Sequence, residues 1–375
     1  MAILNYLTTT HFDFGAIRIV PKELERLGMR RPLIATDRGV RAAGLLDVLF
    51  DAVPGSRSFP VFDDTPGNPT EAAALSAFEL YRSNGCDGVI GMGGGSSMDL
   101  GKAVALLAGS GGSLDRYDPL IGGARRIDRV APVVAIPTTS GTGSEVSIGF
   151  VIVMKDGRKL TFASPKMIPS VAICDPELTL GLPAALTAAT GMDAVTHCIE
   201  AILSPVVNPP AEGIGYDGLR RAWHNIETAV RDGTDRNARW NMMMASTEGA
   251  MAFVKGLGAV HAMSHALGRL PDLRLHHGTL NAVILPTVLR YNVGDALEKY
   301  HRMAEAMALG RGADLAKAVE RRNTSIGLPA GLRAMGVTDA MIPDLVPHAV
   351  ADLSSRTNPR PVDAAAYADL FRAAL

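Results

Sequence analysis

Hydrophobic positions in the first half of the chain form short runs separated by segments with helical periodicity. Apolar runs bounded by turn residues predict buried strands, whereas apolar positions repeating every three to four residues predict amphipathic helices. We predict helices at 40–53 and 70–85, the second with Thr70 as its N-cap, and strands at 31–37, 57–62, 86–92, 131–137 and 170–175. This alternation predicts a parallel sheet covered by helices on both faces.

The pattern changes twice further along the chain. Two alternating runs within 149–164 flank the dipeptide Asp156–Gly157, which is a strong hairpin signal. Beyond about residue 180 nearly every segment has a helical period, and strand signals almost vanish. The chain therefore predicts an α/β domain at 1–180 and an all-helical domain at 181–375, with the boundary near 176–182.

Composition narrows the class of protein. The chain has 375 residues, of which 47% are hydrophobic and 20% charged, as in ordinary soluble enzymes. A net charge of -1 gives no reason to expect nucleic acid or a membrane surface as a partner. No apolar run is long enough to span a bilayer, and the N-terminal segment does not resemble a signal peptide. Three widely spaced cysteines indicate no disulfide framework and fit the reducing cytoplasm.

Polar residues with metal-binding side chains are concentrated between 191 and 278. Asp193 and His197 are four residues apart, as are His261 and His265, so each pair shares one face of a predicted helix. Two further histidines, His276 and His277, follow in the motif LHHG. A single histidine on an apolar helix is more often a hydrogen-bonded core residue than a ligand. Together, however, these groups form a nitrogen and oxygen donor set suited to Fe(II), Zn(II) or a similar ion.

Two glycine-rich loops follow predicted strands. Residues 93–96 read GGGS and open a helix, where backbone N–H groups can approach a phosphate closely. The motif matches neither the Walker pattern nor the GxGxxG fingerprint, and a tight structural turn explains it equally well. Residues 137–147, PTTSGTGSEVS, form the second loop. Because ligands bind at the carboxyl ends of parallel strands, the two loops together favour a nucleotide site.

Three charged residues near these loops have two interpretations each. Asp37 ends a predicted strand, where it can accept hydrogen bonds from an adenosine ribose and repel a 2′-phosphate, or simply cap the next helix. The first interpretation favours NAD over NADP, although Arg38 lies next to it. Asp99 and Lys102 can face the cofactor or form a solvated i,i+3 pair.

These motifs, taken in order, resemble those of the iron-dependent (group III) alcohol dehydrogenases. The shared segments are LIATD, GNPT (67–70), GGGSSMDLGK, PTTSGTGSE, CDPELT, DAVTH, VHAMSHALG, HHG and TNPR (357–360), and they cover nearly the whole chain. Within the family, the chain is most similar to bacterial NAD-dependent 4-hydroxybutyrate dehydrogenases, as judged from THFDFGA, CDPELTLGLPAALTAATGMDA, VNPPAEGIGYDG and LHHGTLNAV.

The resemblance implies a Rossmann-like N-terminal domain that binds NAD and a helical C-terminal domain, together a dehydroquinate synthase-like fold. It implies a metal, Fe(II) or another divalent ion such as Zn(II), bound by Asp193, His197, His261 and His277. His265 corresponds to the family histidine beside the nicotinamide that does not bind metal. The cofactor-facing positions implied by the resemblance are Asp37, Asn68, Gly94, Gly95, Ser96, Asp99, Lys102, Thr138, Thr139, Ser144 and Val146.

The segment between His265 and His277 departs from the family pattern, because it is longer by two residues than in simpler members. His276 stands where proline is common, so either His276 or His277 could bind the ion. We select His277 because it directly precedes the glycine.

The implied reaction is reversible hydride transfer between a primary alcohol and NAD, with the metal as Lewis acid and His261 and His265 at the reacting centre. His265 is expected to relay or orient a proton. The implied substrate pair is 4-hydroxybutyrate and succinic semialdehyde, with other short-chain alcohols or diols as the alternative. For the substrate carboxylate the candidate partners are Arg158, Lys159, Lys255 and Arg274, although each is more simply explained as a solvated surface charge.

Three other functions remain open. A maleylacetate reductase-like enzyme is close, but such an enzyme is expected to lack a full metal set. A lyase of the dehydroquinate synthase type would need more basic residues in its cleft. A metal- and nucleotide-binding protein without turnover is the third.

A homo-oligomer, as a dimer or larger, is expected, although ordinary core packing also explains the apolar helices.

Overall fold

Six parallel strands form one sheet in the first half of the chain, in the order β1-β8-β5-β4-β2-β3. The computed structural model of the protein describes residues 8–273 and 275–375. The strands of this sheet are β1 (Thr9–Phe12), β2 (Leu33–Ala35), β3 (Val61–Phe62), β4 (Val89–Gly93), β5 (Val133–Pro137) and β8 (Val171–Cys174). A separate antiparallel hairpin consists of β6 (Gly149–Val153) and β7 (Lys159–Ala163).

The central strands β2, β4 and β5 are buried along their whole length, which explains their uninterrupted apolar sequences. Side chains alternate between the two faces of the sheet. Ile34 and Ile90 pack in a core on one face, whereas Leu33 and Val89 pack in another core on the opposite face. The helices of this half are α1 (Val20–Leu27), α2 (Arg38–Ala42), α3 (Leu45–Ala52), α4 (Glu71–Ser83) and α5 (Gly95–Ser110).

Most of the predicted elements of this half are present, and three differences have local causes. The helix predicted at 40–53 is two helices, because Gly44 adopts a left-handed conformation with φ 74° between α2 and α3. The strand predicted at 57–62 is confined to β3, since Ser56–Ser58 forms a 3-10 turn. Strand β1, which pairs with β8, was not predicted; its threonine-rich sequence is only partly buried.

The second half is helical. Its helices are α6 (Ala184–Leu203), α7 (Pro209–Arg231), α8 (Arg236–Ala252), α9 (Ala259–Leu267), α10 (His277–Asn292), α11 (Leu297–Ala306), α12 (Leu315–Ser325), α13 (Ile342–Ala351) and α14 (Ala364–Ala373). Within 182–273 and 275–375 the structure contains no strand, as the loss of alternating patterns predicts. No helix in the described residues is long and apolar enough to cross a membrane.

The chain divides into two compact units. Among the described residues, the α/β unit consists of 8–139 and 143–181, and the helical unit consists of 140–142, 182–273 and 275–375. A short piece of the second Gly/Ser/Thr loop therefore belongs with the helices. Helix α6 lies at the centre of the helical unit: it packs against α7, α8 and α10, and all its residues from Thr187 to Leu203 are buried. Polar side chains on α6 are consequently held in a fixed, dehydrated environment.

Candidate metal centre and nucleotide loops

Four predicted ligands converge in the helical unit. Asp193 and His197 lie on α6, His261 on α9, and His277 is the first residue of α10. Asp193, His197 and His261 each offer a donor atom within 4.8 Å of the others. Oδ1 of Asp193 lies 3.9 Å from Nε2 of His197 and 3.8 Å from Nε2 of His277. Three of the four donors are therefore mutually close, and the fourth, Nε2 of His277, lies beside Asp193.

Hydrogen bonds on the far side of two imidazoles fix the direction in which their Nε2 atoms point. Nδ1 of His197 lies 3.1 Å from the carbonyl oxygen of Gly141, and Nδ1 of His261 lies 2.6 Å from Oε2 of Glu200. A carbonyl oxygen can only accept, so Nδ1 of His197 carries the proton and Nε2 carries a lone pair. Burial lowers the pKa of His197 to about 4, against the opposing charge of Asp193. A neutral imidazole with a free Nε2 is the form that binds a metal.

The position of His277 depends on the glycine that follows it. A Cβ on Gly278 would overlap the carbonyl oxygen of Ala189 and would lie 3.2 Å from Cβ of Asp193. Only glycine allows the first turn of α10 to approach α6 this closely. The HHG motif therefore has a steric cause, which is the close approach that brings His277 to Asp193.

His265 lies next to the cluster but has a different partner. Its ring stacks on that of His277 with centroids 5.4 Å apart, and its Nδ1 lies 2.9 Å from Oδ2 of Asp352. Burial alone would raise the pKa of Asp352, but the adjacent His265 and the hydrogen bonds from Ser354 together outweigh burial and lower it. The carboxylate is thus kept ionised and orients the imidazole, as expected for a histidine that handles a proton.

His276 plays another part. Its Nδ1 accepts a hydrogen bond from the backbone N–H of Thr279 at 3.4 Å, so it caps α10, and its side chain is exposed. His277, not His276, contributes an Nε2 atom beside Asp193.

Two further residues touch the cluster and were not predicted. Glu200 holds His261, and Asn281 places its Nδ2 2.7 Å from Oδ1 of Asp193. Both follow a predicted ligand on the same helix, Glu200 three residues after His197 and Asn281 four residues after His277. The i,i+3 and i,i+4 rule that identified the ligand pairs would also have identified these neighbours.

The predicted nucleotide loops lie side by side in the α/β unit. Gly94 and Gly95 form the turn from β4 into α5, and Thr138 and Thr139 follow the adjacent strand β5. A Cβ on Gly94 would lie 3.6 Å from the side chain of Thr139, and the N–H of Thr138 donates to the carbonyl oxygen of Gly93. The N-terminus of α5 therefore lies at the carboxyl edge of the sheet, beside Thr139, where backbone N–H groups can bind an anion.

Asp37 occupies the position its helix-capping interpretation predicted, and it also contacts the glycine loop. Oδ1 accepts from the N–H of Val40 at 3.0 Å, which caps α2, and Oδ2 accepts from Oγ of Ser97 at 2.9 Å. The two interpretations are thus compatible, since the cap holds the carboxylate beside the loop.

Asp99 and Lys102 are not a solvated pair, because Lys102 is fully buried. Its Nζ donates to the carbonyl oxygens of Ser144, Ser147 and Gly149 at 2.5, 3.1 and 2.8 Å. Asp99 accepts from Oγ of Ser144 at 2.6 Å. Burial lowers the pKa of Lys102 to about 8, against the opposing charge of Asp99. These side chains brace the turn that carries Ser144 and the half-buried Val146.

Asn68 and Ser96 make hydrogen bonds close to the glycine loop. Oδ1 of Asn68 accepts from Nζ of Lys159 at 2.9 Å, and Oγ of Ser96 donates to the carbonyl oxygen of Gly67 at 2.7 Å. The GNPT segment is thereby fastened to the helix that follows the glycine loop.

The other candidate partners for a substrate carboxylate are also engaged. Arg158 donates to Asp118 at 2.7 Å, and the buried Lys255 donates to Glu212 at 2.8 Å. Lys255 is therefore not the solvated surface charge that its sequence context suggested. Arg274 lies outside the described residues.

Comparisons with known proteins agree with this geometry. The model of the family "Iron-containing alcohol dehydrogenase" matches residues 8–176, and that of "Fe-containing alcohol dehydrogenase family, C-terminal" matches residues 187–375. A protein from Cupriavidus necator named 4-hydroxybutyrate dehydrogenase is 54% identical over 375 residues, which cover 98% of each chain.

Two solved structures are similar over the whole chain. A 1,3-propanediol oxidoreductase superposes with a TM-score of 0.92 at 34% identity, covering 100% of both chains. A sulfoacetaldehyde reductase from Bifidobacterium kashiwanohense, solved in complex with NAD+, gives a TM-score of 0.88 at 27% identity, covering 100% of this chain and 99% of the other. The predicted fold class, a parallel-sheet domain followed by a helical domain, is confirmed. The chain is an oxidoreductase that belongs to the family of iron-containing alcohol dehydrogenases.

Proposed function

We propose that this protein catalyses the reversible, NAD-dependent oxidation of 4-hydroxybutyrate to succinic semialdehyde, with a divalent metal, Fe(II) in the first place, held by Asp193, His197, His261 and His277. The observation that carries the proposal is that donor atoms of Asp193, His197 and His261 lie within 4.8 Å of one another, with Nε2 of His277 3.8 Å from Oδ1 of Asp193. The 54% identity to the 4-hydroxybutyrate dehydrogenase of Cupriavidus necator supports the choice of substrate.

The donor set fits a divalent ion of this type. One carboxylate and three imidazoles suit Fe(II) and Zn(II) alike, and hydrogen bonds to Gly141 and Glu200 orient two of the imidazoles. Asp193 is buried, and its charge is balanced by no lysine or arginine among the described residues within ion-pair distance. A bound cation would supply that balance.

When bound, the metal supplies a Lewis acid for the alcohol oxygen, and NAD supplies the hydride acceptor. The residues of the chain supply position and proton handling. His265, oriented by Asp352, is the group proposed to hold or move a proton near the reacting centre. His261 binds the metal and lies edge-on to His265, with ring centroids 5.8 Å apart.

For the cofactor, we propose that the α/β unit up to about residue 180 binds NAD. The N-terminus of α5, with Gly94, Gly95 and Ser96, would bind the pyrophosphate. Asp37 would accept hydrogen bonds from the adenosine ribose and select NAD over NADP. The second loop, with Thr138, Thr139, Ser144 and Val146, would contact the nicotinamide half of the cofactor. Asn68 would also contact the cofactor. Asp99 and Lys102 would act by bracing that loop. The NAD complex of the sulfoacetaldehyde reductase supports the choice of cofactor.

Two remaining expectations belong to the same proposal. We expect the enzyme to act in the cytoplasm and to assemble as a homo-oligomer, a dimer or larger. Size-exclusion chromatography with light scattering measures the assembly.

The test is NADH oxidation, followed by absorbance, with protein purified without chelator. Succinic semialdehyde is compared with uncharged aldehydes, NADH with NADPH, and stripped protein with protein restored with Fe(II) or Zn(II). The proposal expects metal-dependent NADH oxidation that is fastest with succinic semialdehyde. Activity with uncharged aldehydes alone would refute the hydroxy-acid assignment and favour another alcohol or diol. No turnover with any carbonyl, from protein that holds metal and NAD, would favour a lyase or a non-catalytic protein.

A further inference from the structure

Asn281 lies on α10 one turn after His277, and its amide group faces the predicted ligands. Nδ2 is 2.7 Å from Oδ1 of Asp193, 3.2 Å from Nε2 of His261 and 3.2 Å from Nε2 of His277. One amide nitrogen is thus within hydrogen-bond distance of the proposed metal-binding atoms of three of the four predicted ligands. The side chain is completely buried, so this contact excludes water.

The other end of the same amide has no partner. Oδ1 of Asn281 is buried, and no donor among the described residues lies within hydrogen-bond distance of it. A buried carbonyl oxygen without a hydrogen bond is destabilising, because it has lost its contacts with water and gained no other donor. The amide therefore directs its two N–H groups at three acceptors and leaves its own acceptor unused.

This orientation is incompatible with a cation at the same place. Amide hydrogens carry positive partial charge, and each imidazole lone pair that binds an ion is lost as a hydrogen-bond acceptor. The amide oxygen, by contrast, is a neutral ligand for divalent ions. Rotation of the terminal amide by about 180° exchanges the two groups within nearly the same volume, because this torsion is broad and roughly two-fold.

We propose that Asn281 is a fifth residue of the metal site, whose amide oxygen would bind the ion held by Asp193, His197, His261 and His277. The inference rests on the proposed metal site and extends it to a residue that neither the motifs nor the comparisons assign. It makes Asn281 a determinant of metal affinity.

The chain offers a matched control. Asn323 on α12 is also buried in the helical unit, its Nδ2 donates to the carbonyl oxygen of Ala282 at 2.7 Å, and its Oδ1 is likewise unpaired among the described residues. It differs from Asn281 in making no hydrogen bond to a predicted ligand among the described residues. Substitution of both residues separates an effect at the metal site from the cost of removing a buried amide.

The experiment measures the affinity of the metal-stripped full chain for Co(II), in competition with a chelator. It also records the visible absorption of the bound Co(II), because the intensity of this absorption falls as the coordination number rises. Variants Asn281→Leu, Asn281→Asp and Asn323→Leu are compared with the unmodified protein. We expect Asn281→Leu to bind Co(II) about 10–100-fold more weakly and to give stronger absorption. Asn281→Asp retains an oxygen and should bind at least as tightly as the unmodified protein, whereas Asn323→Leu should change neither quantity.

Each outcome decides a point. If Asn281→Leu binds Co(II) with unchanged affinity and spectrum, Asn281 has no role in the metal site. If Asn281→Asp loses as much affinity as Asn281→Leu, an oxygen at this position does not bind the ion and the proposal is wrong. Failure of the unmodified protein to bind Co(II) would instead overturn the proposed function, and the inference with it. Circular dichroism of each stripped variant checks folding, and Asn281→Ala replaces Asn281→Leu if the leucine does not fold.

Discussion

Oε2 of Glu200 lies 2.6 Å from Nδ1 of His261, and both side chains are buried. The same carboxylate accepts through Oε1 from the backbone N–H of Val260 at 2.8 Å, so it fixes the start of α9 as well as the imidazole. A carboxylate in this position holds the ring orientation and raises the basicity of Nε2. Glu200 is therefore expected to contribute to metal affinity without touching the ion.

Replacement of Glu200 by glutamine keeps an oxygen for Val260 but removes the negative charge beside His261. We expect Glu200→Gln to lower metal affinity about 10–100-fold, as is usual when a residue supporting a ligand is changed. Metal content after dialysis against a chelator measures this. Glu212→Gln, in the ion pair with Lys255, serves as the control and should retain the metal. Equal metal content in both variants would show that Glu200 has only a structural role.

Asp37 is expected to select NAD through its charge and to cap α2 through its oxygen. Serine can replace the cap but carries no charge, so Asp37→Ser should raise the ratio of kcat/KM for NADPH to that for NADH by about tenfold or more. Asp47→Ser, an exposed carboxylate on α3, should leave the ratio unchanged. An unaltered ratio in Asp37→Ser would mean that another group reads the ribose.

From a fully buried position, Lys102 holds two carbonyl oxygens of the second loop, those of Ser144 and Ser147, and that of Gly149 at the start of β6. Lys102→Met leaves those oxygens without their donor, so we expect destabilisation of about 1–3 kcal/mol and a higher KM for NAD. Lys155→Met, which removes an exposed lysine of the same unit, is the control. Thermal unfolding and steady-state kinetics check the two effects. A destabilised Lys102→Met enzyme with an unchanged KM for NAD would show that the second loop does not contribute to NAD binding.

Glu248 on α8 gives the helical unit a pH-dependent stability. Burial, reinforced by the nearby Asp217, raises the pKa of its carboxyl from 4.5 to about 8. Arg221, 3.3 Å away, is shared with Asp217. Because the folded pKa is higher than the unfolded one, this group binds more protons when folded, and its contribution to stability falls as pH rises between about 4.5 and 8.

Glutamine mimics the protonated carboxyl at every pH. Glu248→Gln should therefore be more stable than the unmodified protein at pH 8, by on the order of 1 kcal/mol or more, while the two should differ least near pH 4.5. Denaturant unfolding at several pH values measures the difference. A constant difference across that range would contradict the raised pKa.

The sequence predicted the sheet and the helices well where one pattern dominated. Strands β4 and β5 are apolar along their whole length, and the α/β to helical change near residue 180 is visible in periodicity alone. The sequence predicted element boundaries poorly where they depend on the conformation of a single residue or on a tertiary contact. The left-handed Gly44 divides one apolar helical run into α2 and α3, and nothing in the periodicity marks that break. Strand β1 is defined by its pairing with β8, which is a tertiary contact.

For the metal site, too, the sequence predicted what local spacing determines and missed most of what tertiary contacts determine. Spacing brought Asp193 and His197 onto one helix face, and the resemblance to the family extended the set to His261 and His277. The partners on the far side of the ligands were not predicted, because they depend on which helices meet. Asp352 lies 87 residues after His265, and Gly141 lies 56 residues before His197. Glu200 and Asn281, however, share a helix with a predicted ligand and could have been found by spacing.

His277 is proposed to complete a metal site on which turnover depends, and the adjacent His276 provides the control. His276 and His277 are adjacent, but only His277 lies beside Asp193, while His276 caps α10. The most direct measurement is metal stoichiometry together with NADH-dependent reduction of succinic semialdehyde for His277→Ala and His276→Ala. We predict that His277→Ala loses both the bound metal and turnover, whereas His276→Ala keeps both with a small loss of stability. Retention of metal and activity by His277→Ala, with their loss in His276→Ala, would contradict the account.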